Sequence, residues 1–155
     1  YIVVDGNSTD GTLSKIKKYE RKISKIISEK DNGIYDAINK GINISTGELV
    51  GIIHSDDIYS DNNCIAKVVD KLTNDGADAL YGDLVYVDRL TAKRIIRYWK
   101  SCLYSPNLFK KGWMPPHPTF FVKRNVYIKY GLYNTSLRTS ADYELMLRLL
   151  YKYKI

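Results

Sequence analysis

Two apolar runs that each end in acid limit what this chain can fold into more than any other feature. Tyr1–Val4 stops in Asp5-Gly6-Asn7-Ser8, and Glu48–His54 stops in Ser55-Asp56-Asp57. Each reads as a buried strand running into a turn. Helical patterns lie between and after them. From Thr12 the residues Leu13, Ile16, Tyr19 and Ile23 recur at helical spacing, and Ile34, Ala37, Ile38 and Ile42 share a face of a segment that Gly47 ends. A short strand near Ile26–Ser28 separates the two. Ile65, Val68, Val69 and Leu72 mark a third helix closed by Asn74-Asp75-Gly76, followed by a strand over Ala79–Val87. This alternation over residues 1–88 predicts an α/β fold with a mostly parallel sheet. Ligands of such sheets bind beyond the carboxyl ends of strands. Both acidic clusters sit there.

Beyond residue 88 the pattern loosens. Arg94–Lys100 interleaves basic and apolar residues, as an edge strand or a surface segment would. Pro106, Pro115, Pro116 and Pro118 hold the residues before them extended, which predicts a loop over 105–118. Thr119–Val122 reads as a short strand and Arg124–Tyr130 as a helix ending at Gly131. Ser140 is placed to cap a last helix over Ala141–Tyr153.

The net charge of +7 is unevenly distributed. Residues 1–100 carry 15 basic and 15 acidic side chains, whereas residues 101–155 carry nine basic and two acidic, so the excess lies in the last third. Such a segment suits nucleic acid, an anionic membrane surface or a phosphate-bearing substrate. No helix-turn-helix, RNP-like or zinc-finger pattern is present, so no nucleic-acid partner is expected. Peripheral association with an anionic membrane and binding of a phosphate-bearing substrate are the expectations that remain. The fourteen tyrosines would suit a polyhydroxylated ligand, and half-buried packing equally well. Cys64 and Cys102 form no disulfide framework or metal spacing, which points to a reducing, cytoplasmic compartment, at the inner face of a membrane if the chain binds one.

Asp56-Asp57 is the strongest chemical candidate. Adjacent carboxylates after an apolar strand are costly unless a cation or hydrogen-bond donors satisfy them. Mn²⁺ or Mg²⁺ does so with one or two protein carboxylates, waters and substrate phosphates. An acidic turn in solvent is the plain alternative. Asp5 lies in a segment whose Ser8, Thr9 and Asp10 are equally ordinary turn and cap chemistry. Asp142, in the first turn of the last helix, is stabilised by the helix dipole and is a rigid place from which to accept a proton.

The order of these blocks resembles the GT-A glycosyltransferases of family 2. Tyr1-Ile-Val-Val-Asp-Gly-Asn-Ser-Thr-Asp-Gly-Thr12 looks like the family's strand and nucleotide-binding Asp. Glu29-Lys-Asp-Asn-Gly-Ile-Tyr-Asp-Ala-Ile-Asn-Lys-Gly41 looks like its second block. Gly47-Glu-Leu-Val-Gly-Ile-Ile-His-Ser-Asp-Asp57 looks like the strand leading to its metal-binding acids. Pro116-His-Pro-Thr-Phe-Phe121 and Ser140-Ala-Asp-Tyr-Glu-Leu145 resemble its acceptor-side blocks.

The resemblance implies a Rossmann-like GT-A fold lacking the family's first strand, with residues 1–155 one domain fragment. Residues 1–88 would form the nucleotide-sugar-binding half and 89–155 the acceptor-binding half. It further implies an inverting transfer from a UDP- or GDP-sugar to a saccharide or lipid-linked saccharide acceptor, in cell-surface polysaccharide synthesis. Asp5 would contact the nucleotide's base with Asp31 near it, Asp56 would hold the ribose and Asp57 the divalent metal. Asp142 would be the general base, with Lys40 and His117 near the donor phosphates or sugar. The chain departs from the family's pattern at Ala141, where the usual acidic pair is reduced to Asp142 alone. Two other classes are open: a non-catalytic nucleotide-binding or interaction module, and a metal-dependent phosphohydrolase using Asp5 and Asp56-Asp57.

Overall fold

The computed structural model describes residues 1–155. Strand β1 (Ile2–Asp5) runs parallel to β2 (Lys25–Ser28), with Asp5 opposite Ser28. Between them lie helix α1 (Thr12–Lys17) and a 3-10 turn, Glu20–Lys22. The helical pattern extended to Ile23, but α1 ends at Lys17. Lys15, Lys17, Lys18, Arg21 and Lys22 would stack like charges three and four residues apart in a longer helix, which disfavours it. Helix α2 (Ile34–Ile44) packs on β1 and buries Ile42.

Strand β3 (Leu49–Val50) is followed by the acidic loop, helix α3 (Cys64–Asp75) and β4 (Ala79–Leu80). The strand expected over Ala79–Val87 is broken at Gly82. The Thr119 hydroxyl accepts from the Gly82 N–H at 3.1 Å and shares its proton between the Gly82 carbonyl at 3.0 Å and the Pro116 carbonyl at 2.8 Å. The ladder groups of Gly82 are thereby engaged sideways. The chain resumes as β5 (Leu84–Val87), which forms an antiparallel hairpin with β6 (Ile95–Trp99). The proline segment contains one short helix, α4 (Pro106–Phe109), and a 3-10 turn at His117–Thr119. Then come β7 (Phe121–Lys123), α5 (Arg124–Tyr130) and α6 (Ala141–Met146), which widens into a π-helical stretch over Leu147–Lys152. Ser140 precedes α6 in a left-handed conformation, φ 64°, and its side chain makes no cap bond.

The fold is α/β as read, but its strands pair in three small sheets, of which only β1–β2 is parallel. Strands β3 and β4 share a direction, and β7 lies between them antiparallel to both. The strand–helix alternation constrains consecutive strands. It says nothing of a strand that returns from forty residues downstream, since pairing between sequence neighbours is only a tendency. What brings β7 there is burial. Val122 is fully buried and packs with Phe120, Val126, Tyr127, Leu145, Met146 and Leu149, while Phe121 faces the other side with Val68 and Leu72 of α3. Side chains alternate across a strand, so Phe121 and Val122 serve two cores.

Part of the C-terminal charge is structural. Arg148 pairs with Glu144 at 2.7 Å and donates to the carbonyls of Tyr130, Gly131 (3.0 Å) and Leu132 (2.6 Å), closing the end of α5. No helix is long and apolar enough to cross a membrane.

Gly51, just after β3, lies flat against the Phe121 ring, and a side chain there would overlap it. Gly51→Ala is therefore expected to lower stability by about 1–3 kcal/mol through overpacking. Gly82→Ala, where an added methyl meets nothing within 4 Å, should be far milder. Denaturant midpoints of the two variants, compared with the parent chain, check the difference.

Candidate active site

The sequence-derived candidates gather in two groups joined by α2. In the first, Asp5 closes β1 and is the one charged side chain that the fold buries, at 6% exposure. Its Oδ2 accepts the Ser28 hydroxyl at 2.7 Å and the Ser8 N–H at 3.1 Å. Hydrogen bonds from Ser8 and then Ser28 hold the carboxyl below the usual carboxylate range, against burial, which pushes it up. Parallel pairing of β1 with β2 is what sets Ser28 opposite Asp5. Asp31 lies against the Gly6 backbone, where a Cβ at Gly6 would come within 2.5 Å of its Oδ2. Only glycine leaves room for that carboxylate. Its Oδ1 accepts the Gly33 N–H at 3.0 Å.

Lys40 is committed to the same loop. Its ammonium donates to the Lys30 carbonyl at 3.0 Å, pairs with Glu29 at 2.9 Å and lies 3.6 Å from Asp36. Asp36 in turn accepts the Asn32 N–H at 2.9 Å. Lys40 thus ties down the segment that carries Asp31.

The second group forms around the loop after β3. The Asp57 N–H donates to the His54 carbonyl at 3.1 Å, and the His54 N–H reaches Asp57 Oδ2 at 3.3 Å. Asp56 is exposed at the tip of this turn and Asp57 half-buried beneath it. The His54 ring lies 5.7 Å from that of His117, whose Nε2 is 3.0 Å from the Tyr133 hydroxyl. Tyr133 is buried and stacks on Tyr35 at 5.7 Å with 12° between the planes. The Tyr35 hydroxyl donates to Asp142 Oδ1 at 3.0 Å across 107 residues of sequence. A continuous run of contacts therefore joins Asp57 to Asp142 through His54, His117, Tyr133 and Tyr35. Burial pushes the His117 imidazole below its ordinary range and His54 adds to that, while Asp142 and Asp57 pull it upward. Burial, then the bond to Asp142, pushes the Tyr35 hydroxyl up.

No three His, Cys, Asp or Glu side chains converge to cage a cation. A hard divalent ion needs no such cage when phosphates and water complete its shell. Asp57 fits that use: one oxygen is lightly engaged at 3.3 Å, and the other accepts no protein hydrogen bond. A cleft of about 630 Å³ lined by Glu48, Leu72, Lys123, Arg124 and Ile128 lies apart and contains none of the candidates.

Sequence reasoning did not single out His54, Tyr35, Asn39 or Tyr133. His54 adjoins the acidic pair, and Tyr35 and Asn39 stand four apart on one helix face, a spacing that was readable. Tyr133 lies outside any periodic segment and gave no signal.

Comparison with known proteins places the chain among sugar transferases. The model of the family described as glycosyl transferase family 2 matches residues 1–133. An uncharacterised glycosyltransferase of Mycobacterium tuberculosis is 31% identical over 150 residues, covering 96% of this chain and 56% of that protein. A PGL/p-HBAD biosynthesis glycosyltransferase of Mycobacterium bovis is 28% identical, over 95% of this chain and 56% of its own length. The chain thus spans 56% of the length of these curated relatives. Among solved structures, a Pyrobaculum calidifontis mannosyltransferase in complex with GDP-Man and Mn²⁺ superposes with a TM-score of 0.60 at 21% identity, over 91% of this chain and 40% of that one. TarS 1–349 of S. aureus in complex with UDP gives 0.63 at 18% identity, over 91% and 42%. At such identities the likeness speaks for the fold, which is GT-A.

The burial of His117 has a pH consequence. A folded-state pKa below the unfolded value of about 6.5 means that the unfolded chain binds more protons, so stability falls as pH drops below about 6.5. Asp5, lowered in the fold, loses its contribution only below about pH 4. The denaturation midpoint is expected to fall between about pH 7 and pH 5, and to fall less in His117→Gln. Equal slopes in the two proteins would exclude His117 as the source.

Proposed function

The chain belongs to glycosyl transferase family 2, and on that premise we propose that it carries the donor-binding and catalytic region of an inverting transferase. The reaction moves a sugar from a nucleoside-diphosphate sugar to an acceptor hydroxyl. The observation that carries this reading is the Asp57–His54–His117–Tyr133–Tyr35–Asp142 run, which holds a cation-competent acid and a second carboxylate at opposite ends of one site.

The roles follow from the surroundings. Asp5 and Asp31, on either side of the Gly6 turn, form a carboxylate-lined shelf for a nucleobase, and exposed Asp56 is free to accept from a ribose. Asp57 holds Mn²⁺ or Mg²⁺, which when bound stabilises negative charge on a departing diphosphate. His117 and Lys40 serve the donor side, Lys40 through its grip on the Asp31 loop. Asp142 accepts the proton of the acceptor hydroxyl as its oxygen bonds to the anomeric carbon and the bond from that carbon to the diphosphate breaks. Tyr35 fixes the orientation of Asp142 by holding Oδ1, leaving Oδ2 to the acceptor. A single displacement inverts the anomeric centre. A glycosidase would instead need paired carboxyls flanking one bond, one of them a general acid.

Residues 1–88 form the donor half and 89–155 the acceptor half of this region. The GDP-Man and UDP bound to the structural neighbours support a nucleotide-sugar donor. The acceptor in this reading is a saccharide or a lipid-linked saccharide of cell-surface polysaccharide synthesis, and the relatives named for PGL/p-HBAD biosynthesis support a biosynthetic role for the transfer.

Calorimetric titration of UDP and of GDP, with and without Mn²⁺, tests the site. Metal-dependent binding of one nucleotide is expected, and Asp57→Ala should remove the metal-dependent part. Asp142→Asn should keep nucleotide binding while lowering acceptor-dependent turnover by about 100-fold or more. Binding of neither nucleotide would sink the transferase reading. Release of phosphate that ignores the acceptor would replace it with a phosphohydrolase.

A further inference from the structure

The β5–β6 hairpin projects from the body of the fold on a fixed base. At that base Asp83 accepts the Tyr98 hydroxyl, the Ser101 N–H at 2.8 Å and the Ser101 hydroxyl at 2.7 Å. Thr119 clamps Gly82 from below. The tip is equally organised. Asp88 accepts the Thr91 hydroxyl at 2.6 Å and the N–H groups of Thr91 at 2.8 Å, Arg94 at 3.0 Å and Leu90 at 3.2 Å. The Asp88 N–H also closes onto the Arg94 carbonyl at 2.9 Å. These bonds hold Ala92 in the left-handed region, φ 53°, which alanine adopts only when its surroundings impose it.

This rigid tip presents a side chain that ordinary folding would hide. Leu90 is 95% exposed, and the neighbouring Ile95 and Ile96 are 56% and 64% exposed. Around them stand Arg89, Lys93 and Arg94, none of which forms an ion pair, with Arg97 on β6 and Lys100 just after it. Between residues 84 and 100 there are five cations and one acid, and that acid is Asp88, spent on the loop itself. Arg97 lies over the Tyr86 and Trp99 rings at 5.5 and 5.9 Å, which keeps those aromatics beside a charge on the same face. Counting charge over long stretches hides this patch, because residues 1–100 sum to zero.

We propose that the β5–β6 hairpin docks on an anionic phospholipid surface, with Leu90, Ile95 and Ile96 entering the interface and Arg89, Lys93 and Arg94 meeting lipid phosphates. Apolar side chains ringed by free cations have the composition of interfacial binding segments. A second copy of the chain is the poorer occupant. Pairing two β6 edges about a two-fold axis would set Arg94, Arg97 and Lys100 of one copy against the same three of the other. The hairpin carries none of the residues assigned to the nucleotide site, so vesicle binding and nucleotide binding can fail independently.

The test is co-sedimentation of the chain with vesicles of phosphatidylcholine, with and without phosphatidylglycerol. Binding that requires phosphatidylglycerol and weakens with salt is expected. Arg89→Gln/Lys93→Gln/Arg94→Gln should lower the partition coefficient by about 100-fold, three surface cations being removed. Lys15→Gln/Lys17→Gln/Lys18→Gln on α1, with the same change in net charge, should lower it far less. Leu90→Ser should weaken binding with all charges kept. All these side chains are exposed, and unchanged circular dichroism and melting confirm that the variants fold. The proposal is overturned if no vesicle binds, if the two triple variants lose equally, or if Leu90→Ser binds as the parent does. It is also overturned if ultracentrifugation finds a dimer that Leu90→Ser dissolves.

Discussion

The carboxamide of Asn39 meets both backbone groups of Tyr133, donating to its carbonyl at 2.9 Å and accepting its N–H at 3.0 Å. Tyr133 lies between α5 and α6, outside any strand or helix, and is buried. Peptide groups buried away from a ladder must find partners. Asparagine can supply one donor and one acceptor from a single side chain. Because Asn39 does so, the Tyr133 ring has one position, with Tyr35 stacked on one side and His117 at its hydroxyl. The two halves of the chain are brought to a common distance at this point, and the carboxylate of Asp142 is set by it.

Strand β7 does for the scaffold what Asn39 does for the site. Its three residues carry the backbone between β3 and β4, and Phe121 and Val122 fill a core on each face. The turn that leads into it bears His117, and the strand beside it leads into Asp56 and Asp57. An antiparallel neighbour begins where its partner ends, so the start of β7 and the end of β3 stand together. The contact between His117 and His54 is thus a result of strand direction.

Much of this was legible in the residues. Apolar runs ending in acid placed β1 and the start of β3, which ends at Val50 rather than His54, and helical spacing placed α2, α3, α5 and the start of α6. Asp5, Asp56, Asp57 and Asp142 stood out because a carboxylate at a strand or helix end needs a reason. The rest depended on contacts distant in sequence. Nothing near Ala79–Val87 announces that a threonine at 119 will engage both backbone groups of Gly82 and split the strand. Nothing in the pattern of 119–122 shows that this segment will sit at the middle of a sheet. Tyr133 carries no periodicity at all, since its place is fixed by a side chain ninety-four residues away. The helical spacing of the last segment could not say whether Leu147 or Arg148 packs inward, and most of the Arg148 donors are in fact turned inward.

That arginine also decides how the C-terminal region can move. It reaches from the last helix to three carbonyls at the end of α5, so neither helix end can fray without uncovering polar groups of the other. The two helices form one cooperative unit for local unfolding. Asp142 stands in the first turn of that unit. Releasing its carboxylate by thermal motion takes the opening of the whole unit, so the lifetime of the acid in place is tied to the stability of the core rather than to the mobility of a loop.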